Sequence, residues 1–229
     1  MSTYAYIAAA LSAVMAIIFI YKSYKGTPKE KLFSKSVASL LFLVAAIFGL
    51  LTPTAGADIP GYGTLLLLGL IFGFVGDVLL ETQAVVPEKQ KLFFVSGLGS
   101  FLLGHVFYII LLAKLASFSW LHFVLSLAVF ALIMWLKTLT KSDPGKMMVP
   151  VIAYAAIISV MVGFAVGAYF AAPGKLTFTV LIAALMFLVS DVLLAYIYFG
   201  PKTVKPLRAC NLSFYYAAQI TLALSMLIR

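Results

Sequence analysis

Residues 63–81 read GTLLLLGLIFGFVGDVLLE, with no charge before Asp77 and Glu81. A helix needs about 20 apolar residues to cross the hydrocarbon of a bilayer, so this stretch reads as one membrane crossing. Seven further apolar segments lie around it, roughly at 4–22, 34–51, 93–113, 118–136, 148–170, 177–199 and 209–228. The breaks carry helix-stopping residues: Gly26-Thr27-Pro28, Pro53, Pro60-Gly61, Pro87, Asp143-Pro144-Gly145, Pro173-Gly174 and Gly200-Pro201. No break is long enough for a soluble domain. Composition agrees, since 64% of the 229 residues are hydrophobic and only 10% are charged. A soluble domain carries about 25% charged residues. A soluble globule, a disordered chain and a nucleic-acid binder are thereby excluded, although the net charge of +9 alone would suggest the last. Cys210 is alone, and there are two histidines, so neither a disulfide nor a metal cluster is expected. The expectation is an all-α integral membrane protein, multi-pass, with eight transmembrane helices in one domain spanning 1–229. In a bacterium its place is the inner membrane.

Basic residues orient the helices. Lys22, Lys25, Lys29, Lys31 and Lys35 follow the first segment, Lys89 and Lys91 the third, and Lys137, Lys141 and Lys146 the fifth. Lys202, Lys205 and Arg208 follow the seventh, while the other side holds Lys114, Lys175 and Arg229. The positive-inside rule then puts both termini outside. The first segment lacks a basic lead and a small-residue cleavage site, so it reads as a retained helix. A shift of 114 residues lays Asp77-Val78-Leu79-Leu80 on Asp191-Val192-Leu193-Leu194, Pro87 on Pro201 and Lys91 on Lys205. This reads as a four-plus-four parallel internal repeat with halves of roughly 1–114 and 115–229.

Of seven acidic residues, Glu30, Glu88 and Asp143 sit among basic loops, and Asp58 lies in an outer loop. Asp77, Glu81 and Asp191 fall within or at the ends of apolar segments. Carboxylates there are costly and normally face a cavity or a partner. By the segment ends above, Asp77 lies about 7 Å and Asp191 about 12 Å below the cytoplasmic boundary. The ordinary reading pairs Asp77 and Glu81 with Lys89 or Lys91 at the interface. For Asp191 the nearest cation in sequence is Lys202, so a functional reading is favoured. His105 and Tyr108 share a face of the fourth segment, and Asn211, Tyr215 and Gln219 form a stripe on the eighth, with Tyr216 beside it. A lone buried His or Gln most often ties two helices together. Here the polar residues gather on the third, fourth, seventh and eighth segments. Gly69, Gly73, Gly76, Gly97, Ser100 and Gly104 invite close helix packing, as do Gly163 and Gly167.

Gly76-Asp77-Val78-Leu79-Leu80, Gly104-His105-Val106-Phe107-Tyr108, Ser190-Asp191-Val192-Leu193-Leu194 and Tyr215-Tyr216-Ala217-Ala218-Gln219 resemble the motifs of the lysoplasmalogenase family, the YhhN-like membrane proteins. The resemblance covers nearly the whole chain. It implies hydrolysis of the vinyl-ether bond of lysoplasmalogens to a fatty aldehyde and glycerophosphoethanolamine or glycerophosphocholine. It also implies that Asp77 and Asp191 are the catalytic pair.

That chemistry suits two acids. A vinyl ether is cleaved when a proton reaches its outer alkene carbon and water captures the resulting oxocarbenium ion. Glycoside hydrolysis likewise uses one carboxylic acid to donate and one carboxylate to steer water. A donor working near neutral pH must keep its proton, which an apolar surround and a second acid both favour. On this reading Asp191 donates and Asp77 is the base, with the reverse assignment also open. His105, Tyr108, Asn211, Tyr215, Tyr216, Gln219 and Glu81 are the expected groups for water and the glycerol oxygens. Lys35, Lys89, Lys91, Lys202 or Lys205 is expected at the phosphate. No metal or cofactor is required, the partners are lysophospholipid and membrane lipids, and the oligomeric state is not set by the sequence. The competing reading is a proton-coupled transporter of a small solute or lipid, since parallel repeats and intramembrane acids occur there too.

Overall fold

A computed structural model describes residues 1–53, 59–116, 119–202 and 205–229. Among them run α1 (Ser2–Lys25), α2 (Pro28–Leu50), α3 (Tyr62–Val85), α4 (Gln90–Leu115), α5 (Trp120–Leu139), α6 (Met148–Ala171), α7 (Lys175–Phe199) and α8 (Lys205–Ser225). Three single 3-10 turns, Pro87–Lys89, Gly145–Met147 and Met226–Ile228, complete the list. The described residues contain no strand, and all eight helices are long and apolar enough to cross a membrane. The fold class is the expected one. Asp58 lies outside the described residues.

Most helices run past the apolar cores that announce them. The clearest case is α2, which begins at Pro28 and not near 34. The Thr27 hydroxyl accepts the Glu30 N–H at 3.3 Å, and the Glu30 carboxylate accepts the Thr27 N–H at 2.8 Å. This reciprocal cap, with Pro28 in the first helical position, starts the helix inside a basic stretch. Lys35, at the very start of the apolar segment, consequently lies two turns inside the helix. At the other end of the span, α3 continues beyond Glu81 to Val85. Asp77 therefore sits eight residues before the end of its helix, as Asp191 does before Phe199. Each lies about 12 Å along the axis from that end.

The described residues divide into two compact units, Met1–Leu111 with Gln219–Arg229, and Leu112–Ala218. The first unit thus takes the last residues of α8, which the halves at 1–114 and 115–229 would assign to the second. Within the first unit α2 packs against α1 and α3. Ala5, Ala8, Ala9, Ala16, Ala38, Ala45 and Ala46 are buried there, and small residues let helices approach closely. Ser12 donates to the Ala38 carbonyl across the α1–α2 contact at 2.7 Å. Where α3 meets α4, Ser100 donates to the Phe72 carbonyl at 2.6 Å. A Cβ on Gly104 would stand 3.0 Å from the Gly69 carbonyl, and one on Gly69 would meet the Tyr108 ring. The small-residue faces read from the sequence therefore do pack. Tyr62 shares a 2.6 Å hydrogen bond with Ser225, and Arg229 donates to the Gly49 and Leu50 carbonyls at the end of α2.

Within the second unit α6 packs against α5 and α7. Gly163 faces Ser126 and Gly167 faces His122, again as the glycine spacing on α6 anticipates. Large apolar side chains such as Ile17, Phe33, Phe123, Trp135 and Phe170 point outward, as a lipid-facing surface requires.

Candidate active site

In the first unit, two helical ladders of polar residues face each other. Lys35 and Ser39 lie one turn apart on α2, and Asp77 and Glu81 one turn apart on α3, so each pair shares a helix face. The Lys35 ammonium stands 3.3 Å from Asp77 Oδ1 and 3.5 Å from Glu81 Oε1. Ser39 donates to Asp77 Oδ2 at 2.6 Å. Asp77 is 1% and Lys35 5% exposed, so this charge pair is held away from solvent. Buried charges persist only when paired and hydrogen-bonded, and here both conditions hold. The Phe19 ring, 5.4 Å from the Lys35 nitrogen, adds a cation–π contact. The pairing of Asp77 and Glu81 with Lys89 or Lys91 is thereby corrected. Those two lysines are exposed, and the cation at the acids comes from α2, because α2 starts early enough to bring Lys35 alongside α3.

In the second unit, Asp191 lines a pocket of about 120 Å³ between α5, α6 and α7. The Tyr154 hydroxyl of α6 donates to Asp191 Oδ2 at 2.8 Å. Around them the wall is aliphatic and aromatic, including Val151, Ala155, Ile158, Leu188 and Val192. Toward the ends of α5 and α7 the lining turns polar with Lys137, Thr140 and Ser142. The site therefore offers a carboxyl group, with a phenol aimed at it, inside a space suited to an alkyl chain. A carboxylate that accepts a hydrogen bond from a phenol is stabilised relative to a bare one. Asp191 so placed can give up a proton to a bound apolar group and hold the negative charge left behind.

The other sequence-derived residues are buried and mostly serve helix contacts within their own unit. In the first unit His105 bonds through Nδ1 to the Phe101 carbonyl at 2.7 Å, on its own helix. Its ring meets Tyr108 edge-on, with centroids 6.3 Å apart. Tyr108 donates to Gln219 Oε1 at 3.4 Å, and the Gln219 amide fills the space over Gly73. In the second unit Asn211 donates to the Ser190 carbonyl at 2.8 Å and to its hydroxyl at 2.9 Å, which fixes α8 on the residue before Asp191. Tyr215 packs edge-on to Phe187 and to Tyr216. Two side chains that bond the acids are absent from the sequence reading, Ser39 and Tyr154. Tyr154 carried a usable signal. It lies in the interior of an apolar segment, away from the interfacial belts, where a phenol needs a partner. Ser39 carried less, since serines are common in membrane helices, and only its place one turn after Lys35 marks it. The polar set thus extends to α2 and α6, beyond the four segments that the sequence singled out.

A family model described as the YhhN family matches residues 30–226, a span that contains both acid-bearing helices and every polar residue of the two clusters. Neither the curated proteins nor the solved structures include a match. The chain belongs to the YhhN family.

Proposed function

We propose that this membrane protein hydrolyses the vinyl-ether bond of lysoplasmalogens, releasing a fatty aldehyde and a glycerophospho-alcohol. One observation carries the reading: a carboxyl side chain, Asp191, bonded to Tyr154 in the wall of an otherwise apolar pocket. Membership of a family that includes lysoplasmalogenases supports it. The substrate's alkenyl chain lies along the aliphatic wall. The Asp191 carboxyl proton passes to the alkene carbon remote from oxygen, and the π pair forms the new C–H bond. The positive charge is shared between the other alkene carbon and the ether oxygen. Tyr154 donates to the carboxylate that Asp191 becomes. Water adds to the cationic carbon and loses a proton to a carboxylate. The hemiacetal then collapses, the carbon–oxygen bond to glycerol breaks, and the glycerol oxygen takes up a proton. The sum is one alkenyl ether and one water giving one aldehyde and one alcohol.

Asp77 enters as the second acid of the family's pair. Its ion pair with Lys35 suits a carboxylate that stays charged, since a carboxylate facing an ammonium has no proton to give. The proposal therefore assigns donation to Asp191 and the charged role to Asp77. His105, Tyr108, Asn211, Tyr215, Tyr216, Gln219, Glu81 and Lys35 keep their packing and pairing contacts and support the acids. The proposal includes the parallel four-plus-four repeat and both termini on the outer face, with Asp77 and Asp191 as corresponding residues. Purified protein in detergent is given alkenyl, alkyl and acyl lysophosphatidylethanolamine of equal chain length, and products are read by mass spectrometry. Aldehyde from the alkenyl lipid alone is expected. Fatty acid from the acyl lipid, or no product from any, would overturn the reading.

A further inference from the structure

The pocket of the second unit is polar at two levels, and the proposed chemistry uses only one. The other lies where α5 ends. Lys137 is in the last turn of α5, where a cation is favoured by the helix dipole, and it is the cation among the pocket's lining residues. Thr140 and Ser142 line the same end, with their hydroxyl oxygens 2.9 Å apart. Thr140 already donates to the Leu136 carbonyl at 2.8 Å, so the Ser142 hydroxyl is the donor across the 2.9 Å contact and reaches a ligand by exchanging that bond for one to the ligand. The backbone here is held in place. The Ser142 N–H bonds the Lys137 carbonyl at 3.0 Å, and the Asp143 N–H bonds the Phe199 carbonyl at 2.9 Å, tying the loop to the end of α7. Lys141, just before Ser142, adopts φ 53°, a left-handed conformation uncommon for a residue with a side chain. The nearby Asp143 carboxylate is turned to the Gly145 N–H at 2.9 Å.

We infer that Lys137, with the Ser142 hydroxyl, binds the phosphate of the lysolipid at the end of this pocket where α5 stops. The inference rests on the proposed substrate and names the part of it that the acid does not touch. Asp191 lies eight residues before the end of α7, about 12 Å along the axis. A lysine stem and a glycerophosphate together cover that distance. An ether lipid so placed has its first chain carbons at Asp191 and its phosphate diester at the ammonium. The other cations suggested for this role are placed differently. Lys89, Lys91, Lys202 and Lys205 are exposed, and Lys35 is buried against Asp77.

The test measures binding, not turnover. Hexadecyl lysophosphatidylcholine, a saturated ether that acid does not cleave, and hexadecylglycerol, which lacks the phosphate, are titrated into detergent-solubilised protein. The wild type prefers the phospholipid by about tenfold, the worth of a charge-assisted hydrogen bond. Lys137→Met reduces the preference to about twofold or less, while Lys137→Arg keeps most of it. Lys137→Gln replaces the Met variant if that one aggregates. Unchanged preference in a well-folded Met or Gln variant overturns the inference. Displacement of the lipid by an equal concentration of glycerophosphocholine overturns the lipid assignment in favour of a site for soluble phosphate esters. Because neither probe reacts, absence of aldehyde from a true vinyl ether would count against the hydrolase reading while leaving this result to stand or fall alone.

Discussion

Replacing Lys35 with Met removes an ammonium from between two buried carboxylates while keeping most of the side-chain volume. Lys35 Nζ is 3.3 Å from Asp77 Oδ1 and 3.5 Å from Glu81 Oε1. At an effective dielectric of about 20 each contact is a gross attraction of about 5 kcal/mol. In the wild type the cost of taking the charges out of water offsets most of it. In the variant the carboxylates stay buried without their cation, and their own repulsion one turn apart on α3 is no longer balanced. Ser39 still donates to Asp77 Oδ2 at 2.6 Å and retains a part. Removing one partner of a buried pair costs about 3–5 kcal/mol, and Lys35→Met is expected to lose that much. The assay is SDS titration in mixed micelles, followed by helical circular dichroism. Adding Asp77→Asn and Glu81→Gln to Lys35→Met is expected to recover at least half of the loss, because the stranded charges are then gone. A Lys35→Met protein within about 1 kcal/mol of wild type, or a triple variant weaker than the single one, would refute the reasoning.

Other expectations follow from the same contacts. Gly69→Ala puts a Cβ onto the Tyr108 ring and is expected to cost about 1–3 kcal/mol. Gly99→Ala, where nothing lies within 4 Å, is expected to be neutral or slightly stabilising in the same titration. Asn211→Leu removes the bonds to Ser190 and is expected to lower stability by about 1 kcal/mol, the usual worth of an interhelical hydrogen bond in a membrane. Tyr154→Phe takes away the donor to Asp191. It is expected to lower kcat about tenfold with little change in KM, since the bond matters most when the carboxylate is charged. An equal fall in binding of the unreactive ether lipid would assign Tyr154 to ground-state binding instead.

Helix number and class were legible because hydropathy sums over many residues, and single exceptions hardly move it. Helix ends were not, since a helix continues into polar residues beyond its apolar run, and at α2 a single cap sets where it starts. Thr27 and Glu30 begin α2 well before its apolar run, and that one cap carries Lys35 from the first turn of its helix to the second, where it is the buried partner of Asp77. The acids themselves were legible for the opposite reason, because a carboxylate in hydrocarbon is rare enough to be informative alone. Their partners were harder to see. Pairing runs through neighbouring helices, so sequence distance says little: Ser39 reaches Asp77 and Tyr154 reaches Asp191 across long separations. The glycines on α3, α4 and α6 sat between these cases. Their spacing told which faces are thin, and the structure adds which ring or carbonyl lies over each.

The central claim is that the Asp191 carboxyl protonates carbon in a vinyl ether. Its most direct test is turnover of alkenyl lysophosphatidylethanolamine in D2O by the wild type, Asp191→Asn and Asp77→Asn proteins, with rapid reduction of the aldehyde for mass analysis. The account predicts a product carrying a single deuterium on the carbon next to the former aldehyde. It also predicts loss of nearly all activity in Asp191→Asn, although that protein still folds and binds the saturated ether lipid. Deuterium-free aldehyde, or an Asp191→Asn protein that turns over at close to the wild-type rate, would contradict it.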